Sequence, residues 1–280
     1  MEISNDIIED YSNYCHKYLI KSFGCYDTSC DDPIYWYERY KYRVIPPQKR
    51  DVIEAEDIEV INDYINPYRQ IKLDISAGNS LAKYQSRKLK QLNYDDDMLS
   101  HWGIQHLHLS SEIDDDGYVK RTRELLFVLF KETKAYLIGI FDHNSWSDTD
   151  IIKVIHYNWP EELTPFKTNR GTKKKLTSQQ YKALRRKNVC STIVVDDGTE
   201  YLPPAYGVTS NGAPALAKVN SDFIIHTLNT KYNAIKENIN IILESDPQYK
   251  GSEKVTIGME ITETGSFVYQ VKETGFKFTF

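Results

Sequence analysis

Histidines are concentrated in one part of the chain, where their spacing suits proton transfer. Five of the seven fall at His101, His106, His108, His143 and His156. His106 and His108 are two residues apart in GIQHLHLS, so on a β-strand both side chains point to the same face. Imidazole titrates nearest to neutral pH, which suits a general acid or base. The HxH pair therefore predicts an acid–base site.

Two arginines and a third histidine extend this group. Arg121 and Arg123 stand two apart where the segment RELLFVLF begins, and His143 follows AYLIGIFD, at a strand end. Metal-free RNA cleavage needs these residue types: one histidine takes the 2′-hydroxyl proton, another protonates the leaving oxygen, and arginine neutralises the phosphorane-like transition state. The predicted catalytic set is His106, His108, Arg121, Arg123 and His143.

Two other chemistries compete for the same residues. The HxH pair offers two ligands to zinc or a transition metal, with Asp142 or Asp148 as a further ligand, but the arginines would repel a cation. A two-histidine phosphoesterase needs HxT or HxS twice, and His108 to Ser110 is one match to this pattern. GxxxxGK[ST], GxSxG and GxGxxG are absent. We therefore predict no metal ligand and no cofactor, and we interpret the four cysteines as free thiols.

A basic segment could hold an RNA backbone. Residues 167–187 carry nine Lys or Arg and no Asp or Glu. Such a run is either a solvated linker or helix face, or a phosphate-binding patch. A second, shorter basic run spans residues 83–90. Aromatic side chains beside basic ones suit base stacking. The predicted RNA-binding residues are Lys173, Lys174, Lys175, Arg185, Arg186 and Trp146.

The elements that would position these residues follow from hydrophobic periodicity. GIQHLHLS, RELLFVLF and AYLIGIFDH predict an antiparallel meander within residues 102–146, and WSDTDIIKVIHYNWP predicts a helix that Pro160 ends. Upstream, the pattern predicts a helix over 3–23, another up to Pro67, and a strand at QIKLDI. Downstream, it predicts a long helix from SDFIIHTLNT onward and closing strands at KVTIGMEIT, GSFVYQVK and GFKFTF.

Together these elements predict an α+β protein. A helical N-terminal part leads into a small antiparallel sheet with a following helix, and a second, smaller α+β part ends the chain. The predicted division is 1–165 as the catalytic domain, 166–190 as a basic linker or helix, and 191–280 as the C-terminal domain.

Composition limits the class of protein. The chain has 280 residues, 40% of them hydrophobic and 27% charged, and a net charge of −5. A chain of this length can bury a hydrophobic core. Its mean hydropathy is −0.55. It shows neither a long apolar run nor a signal-peptide pattern, so we expect no membrane partner and a cytoplasmic location.

The meander resembles known ribonucleases. The order RELLFVLF, KETK, AYLIGIFDH and then a helix is similar to the C-terminal sheet of the barnase/colicin/RelE group of toxin ribonucleases. WGIQHLHLS with RELLF and NWPEE also resembles a family of uncharacterised bacterial proteins found among toxin and phage-defence genes. The first resemblance implies that Arg121 or Arg123 contacts the scissile phosphate and that His106, His108 or His143 transfers protons. RNA is then the substrate, and an antitoxin or a phage protein is the expected partner.

The sequence thus predicts a metal-independent endoribonuclease of toxin or phage-defence type. One alternative is a non-catalytic protein-binding module of a defence or toxin–antitoxin system, and another is a metal-dependent hydrolase that uses the HxH strand. The endoribonuclease and the protein-binding module differ in the burial expected of the histidines. Catalytic histidines lie partly exposed in a cleft, whereas core histidines are buried and bonded to the backbone.

Overall fold

The computed structural model of the protein describes residues 1–24, 32–142, 145, 149–169 and 175–280. Its helices are α1 (Ile7–Phe23), α2 (Pro33–Arg43), α3 (Ile65–Ala77), α4 (Asp97–Trp102), α5 (Asp150–Asn158), α6 (Ser178–Arg185), α7 (Ala215–Glu237) and α8 (Ile239–Glu244). Its strands are β1 (Glu2–Asn5), β2 (Asp51–Glu54), β3 (Ile104–His108), β4 (Glu124–Phe130), β5 (Lys134–Asp142), β6 (Lys167–Thr168), β7 (Ile193–Val194), β8 (Glu200–Tyr201), β9 (Lys254–Ile261), β10 (Phe267–Val271) and β11 (Phe276–Phe278). The fold class is α+β, as predicted.

The described residues form two compact units that differ from the division expected in chain order. One unit combines Met1–Arg39 with Ala217–Phe280, and the other is Tyr40–Leu216. The predicted boundaries followed composition along the chain, whereas the first unit joins both chain ends because β1 pairs with β9. No helix within the described ranges is long and apolar enough to cross a bilayer.

The first unit is built on the sheet β1-β9-β10-β11. β1 runs parallel to β9 with Ile3 opposite Val255, while β9, β10 and β11 are antiparallel. Helix α1 buries Ile7, Tyr11 and the residues that follow at four-residue spacing, which is the apolar face of an amphipathic helix. The predicted helix over 3–23 therefore begins later than expected, since residues 2–5 pair in the sheet.

The second unit contains the predicted meander. Its sheet has the order β2-β5-β4-β3, and β3, β4 and β5 are antiparallel neighbours. His106 lies opposite Phe127 and His108 lies opposite Leu125. Alternate residues of β4 enter two different hydrophobic clusters, so both faces of this strand are covered. That double burial explains the nearly continuous apolar sequence of β4.

Helix α3 contradicts the strand predicted at QIKLDI. Tyr68, Ile71 and Ile75 are buried at three- and four-residue spacing, which places them on one helix face. Pro67 lies in the first turn, where a helix needs no backbone donor, so it does not end the helix as expected. The helix predicted after the meander is confirmed as α5, which buries Ile151, Ile152 and Ile155.

Candidate functional site

His106 forms a dyad with a carboxylate that the helix α4 holds in place. Nδ1 of His106 lies 3.2 Å from Oδ2 of Asp96, and the two side chains are 15% and 12% exposed. The other oxygen of Asp96 accepts the backbone N–H groups of Met98 and Leu99, both at 3.0 Å. Asp96 is thus the N-cap of α4. The cap fixes the carboxylate, and the carboxylate orients the imidazole.

A basic turn borders this dyad. Ser86 and Leu89 line the same small cleft as Asp96 and His106. Lys88 is exposed, and its Nζ lies 5.2 Å from the ring centroid of Tyr94, whose hydroxyl is 3.5 Å from Oδ2 of Asp96. The remaining members of the run 83–90 are close to carboxylates. Lys83 pairs with Asp74, Arg87 pairs with Asp114 and Asp116, and Lys90 is 4.0 Å from Asp116. Among the described residues Lys88 is the cation of this run that has no acidic partner.

His108 lies on the same face of β3 but in a different environment. It is only 4% exposed, and its Nδ1 accepts the backbone N–H of Thr122 at 3.3 Å. An acceptor at Nδ1 requires a neutral ring with the proton on Nε2. The hydroxyl of Thr122 in turn accepts the N–H of Leu109. His108 therefore secures the segment before β4 and has the burial expected of a structural histidine, which removes it from the catalytic set.

The predicted arginines are both exposed, next to Thr122. The Nε of Arg123 lies 3.1 Å from Oδ2 of Asp142 and 3.7 Å from Oε1 of Glu124, so two carboxylates neutralise its charge. This pairing disfavours Arg123 as a phosphate ligand and leaves Arg121 as the better candidate. His143 and Trp146 lie outside the described residues.

The basic segment is only partly a surface patch. Lys173 and Lys174 lie outside the described residues, Lys175 pairs with Asp196, and Arg186 is exposed at the end of α6. Arg185, predicted to bind RNA, is 5% exposed, and its guanidinium carbon lies 4.2 Å from the Trp102 ring centroid. Burial lowers the pKa of Arg185 to about 10, against the opposing effect of Asp97. That prediction is corrected, because Arg185 shares the inward face of α6 with Tyr181.

Asp96 was not among the residues predicted from the sequence. Its signal was the Asp run before MLSHW, a pattern typical of a helix N-cap, but the contact with His106 depends on the tertiary fold. Within the described ranges no three His, Cys, Asp or Glu side chains converge as metal ligands. Asp148, one of the two alternative metal ligands in the sequence, lies outside those ranges.

Comparison with known protein families, with curated proteins and with solved structures found no match.

Proposed function

We propose that this protein is a metal-independent endoribonuclease of toxin or phage-defence type in which His106 transfers the proton. The observation that carries the proposal is the dyad of His106 and Asp96. A carboxylate at Nδ1 directs the Nδ1 proton toward itself, so that Nε2 exchanges a proton with substrate. RNA itself supplies the nucleophile, the 2′-hydroxyl.

The proposed reaction is an internal transfer at phosphorus. His106 takes the proton of the 2′-hydroxyl, O2′ forms a bond to phosphorus, and the bond from phosphorus to O5′ breaks. A general acid, for which the sequence offers His143, protonates O5′. The products are a 2′,3′-cyclic phosphate and a 5′-hydroxyl, and no metal is needed to balance the step.

Basic side chains near the dyad support RNA as the substrate. Lys88 is exposed beside Tyr94, at the border of the His106 cleft. The ammonium group of Lys88 can neutralise a phosphate. The ring of Tyr94 beside it can stack on a base. Arg121 and Arg186 supply further exposed positive charge. The resemblance to toxin ribonucleases also implies a protein partner. We propose that an antitoxin or a phage protein covers this cleft.

The test is cleavage of total and synthetic RNA in EDTA. We expect wild-type protein to cleave and to leave 5′-hydroxyl ends, His106→Gln to lose at least about 100-fold in rate, and Asp96→Asn to lose less. His226→Gln is the matched control, because His226 is an exposed histidine on α7. Undiminished cleavage by His106→Gln, or no cleavage by wild type, contradicts the proposal.

A non-catalytic protein-binding module is the second candidate. It is favoured by the burial of His108 against a backbone N–H and by the pairing of Arg123 with two carboxylates. The same assay decides between the candidates. No cleavage with or without added Mg²⁺ or Zn²⁺ favours the binding module, whereas cleavage that appears only with added metal favours the hydrolase that uses the HxH strand.

A further inference from the structure

A second feature of the Tyr40–Leu216 unit is a cavity of about 390 Å³. This volume lies in the range of small-molecule sites, roughly 300–1,000 Å³. Much of its wall is apolar, formed by Trp102 of α4, Leu129 of β4 and Ile155 of α5, together with Leu163 and Phe166. Neither Asp96 nor His106 lines this wall, although Leu99 and Gln105 line both the cavity and the cleft of the dyad.

One buried cation lies in the wall of this cavity. Arg50 is 6% exposed. Its Nε donates to the carbonyl of Lys131 at 2.8 Å, and its Nη1 donates to the carbonyls of Pro46 and Gln48 at 3.1 and 3.2 Å. Its guanidinium carbon lies 5.4 Å from the ring centroid of Phe130. These contacts fix the side chain but bring no negative charge.

Arg50 makes no ion pair with any described residue, and its Nη2 makes no hydrogen bond to them. Burial lowers the pKa of Arg50. A guanidinium nevertheless stays protonated at neutral pH. A buried charge without a counter-charge is costly, and an anion in the cavity would remove that cost.

The other charged groups that line the cavity do not neutralise Arg50. Lys131 lies 3.1 Å from Glu162, which also accepts the hydroxyl of Tyr136. Glu132 lines the cavity as well, but it is an exposed residue. The charges of Lys131 and Glu162 therefore cancel, and Arg50 remains as the buried positive charge.

We propose that this cavity binds a small organic monocarboxylate with an apolar body. The carboxylate would accept a charge-assisted hydrogen bond from Nη2 of Arg50, the guanidinium nitrogen that bonds to no described residue. The apolar body would lie against Trp102, Leu129 and Ile155. A single negative charge matches the single uncompensated guanidinium, and this favours a carboxylate over a dianionic phosphate ester.

Calorimetric titration of the full chain tests the proposal with 3-phenylpropionate and octanoate as probes. Their neutral amides, 3-phenylpropionamide and octanamide, serve as matched ligands. We expect saturable binding of at least one carboxylate at a single site, and binding of its amide to be at least about tenfold weaker. No binding by either carboxylate, or equal binding of acid and amide, overturns the proposal.

Variants locate the site. Arg50→Gln should weaken the carboxylate at least about tenfold and leave the amide unchanged. Val44→Phe narrows the cavity from a half-buried wall position and should weaken both ligands. Arg69→Gln, an exposed arginine of α3, is the control that should bind as wild type. If Arg50→Gln fails to fold, the proposal is still tested in two ways. Wild type shows whether the carboxylate binds more tightly than its amide, and Val44→Phe shows whether both ligands bind in this cavity. Wild-type binding by Val44→Phe or by folded Arg50→Gln overturns the assignment.

Discussion

Nδ1 of His108 accepts the backbone N–H of Thr122 at 3.3 Å, and this bond joins the end of β3 to the residues before β4. The two predicted arginines, Arg121 and Arg123, flank Thr122 in the chain. One histidine of the HxH pair is thus engaged in holding the backbone, while the other, His106, is held by Asp96. Side chains on the same face of one strand have different roles because their nearest neighbours differ.

Substitution of His108 should affect stability more than catalysis. His108→Leu leaves the N–H of Thr122 without an acceptor and should lower the free energy of unfolding by about 1–3 kcal/mol. His108→Asn keeps an acceptor near the position of Nδ1, so it should cost less and retain RNA cleavage. Urea denaturation and the cleavage assay in EDTA measure the two effects. Loss of cleavage in a stable His108→Asn protein would return His108 to the catalytic set.

Substitutions of the neighbouring residues Arg185 and Arg186 should differ in their effect on stability. Arg185→Ala removes a buried guanidinium from the Trp102 ring and from the vicinity of Asp97, and should cost about 3 kcal/mol of unfolding free energy. Arg186→Ala changes an exposed side chain and should stay within about 0.5 kcal/mol of wild type. Urea denaturation of both variants checks this contrast. Equal losses would mean that the two guanidinium groups have similar surroundings.

Local sequence patterns were sufficient to predict the central elements of the second unit. The meander was predictable because its three segments are apolar runs bounded by polar turns, and α5 because it combines a helical period with a proline stop. The strand predicted in place of α3 shows the limit of this reasoning. IKLDI alternates like a strand, and Pro67 resembles a stop signal, but Pro67 lies in a helical first turn.

Contacts between distant parts of the chain were not predictable from pattern. β1 and β9 come from opposite ends, and a four-residue segment carries too little information to choose its partner. The same applies to the site. The HxH spacing predicts a role for His106, but its partner Asp96 comes from the cap of α4. Likewise, a run of basic residues does not reveal that Arg185 faces inward while Arg186 faces solvent, since helix orientation decides this.

Asp96 should show two separable roles. Asp96→Ala removes the acceptor of two backbone N–H groups at the start of α4 and should cost about 1 kcal/mol of stability. Asp96→Asn keeps an oxygen for the cap but removes the charge beside His106, so it should be nearly as stable as wild type and slower in RNA cleavage. Thermal unfolding and the EDTA assay distinguish the roles. Equal cleavage by wild type and Asp96→Asn would show that the charge has no catalytic effect.

His101 should make the stability of the second unit depend on pH. This residue is 3% exposed, and its Nε2 has no hydrogen-bond partner among the described residues. Burial, together with the positive charge of Arg185, lowers the pKa of His101 from 6.5 to about 3. The unfolded chain therefore binds a proton at a higher pH than the folded chain does. The contribution of neutral His101 is complete above about pH 6.5, declines as the pH falls below that value, and is fully lost only below about pH 3.

The expected loss is about 2 kcal/mol of unfolding free energy between pH 7 and pH 5. Urea denaturation across this range measures it, and His101→Gln isolates it, because glutamine fills the site with a side chain that does not titrate. Carboxylates elsewhere contribute equally to both proteins, so the difference between the two pH profiles reports His101 alone. His226→Gln should give a profile parallel to wild type, because that histidine is exposed. A His101→Gln profile parallel to wild type would show that His101 accepts a proton without loss of the fold.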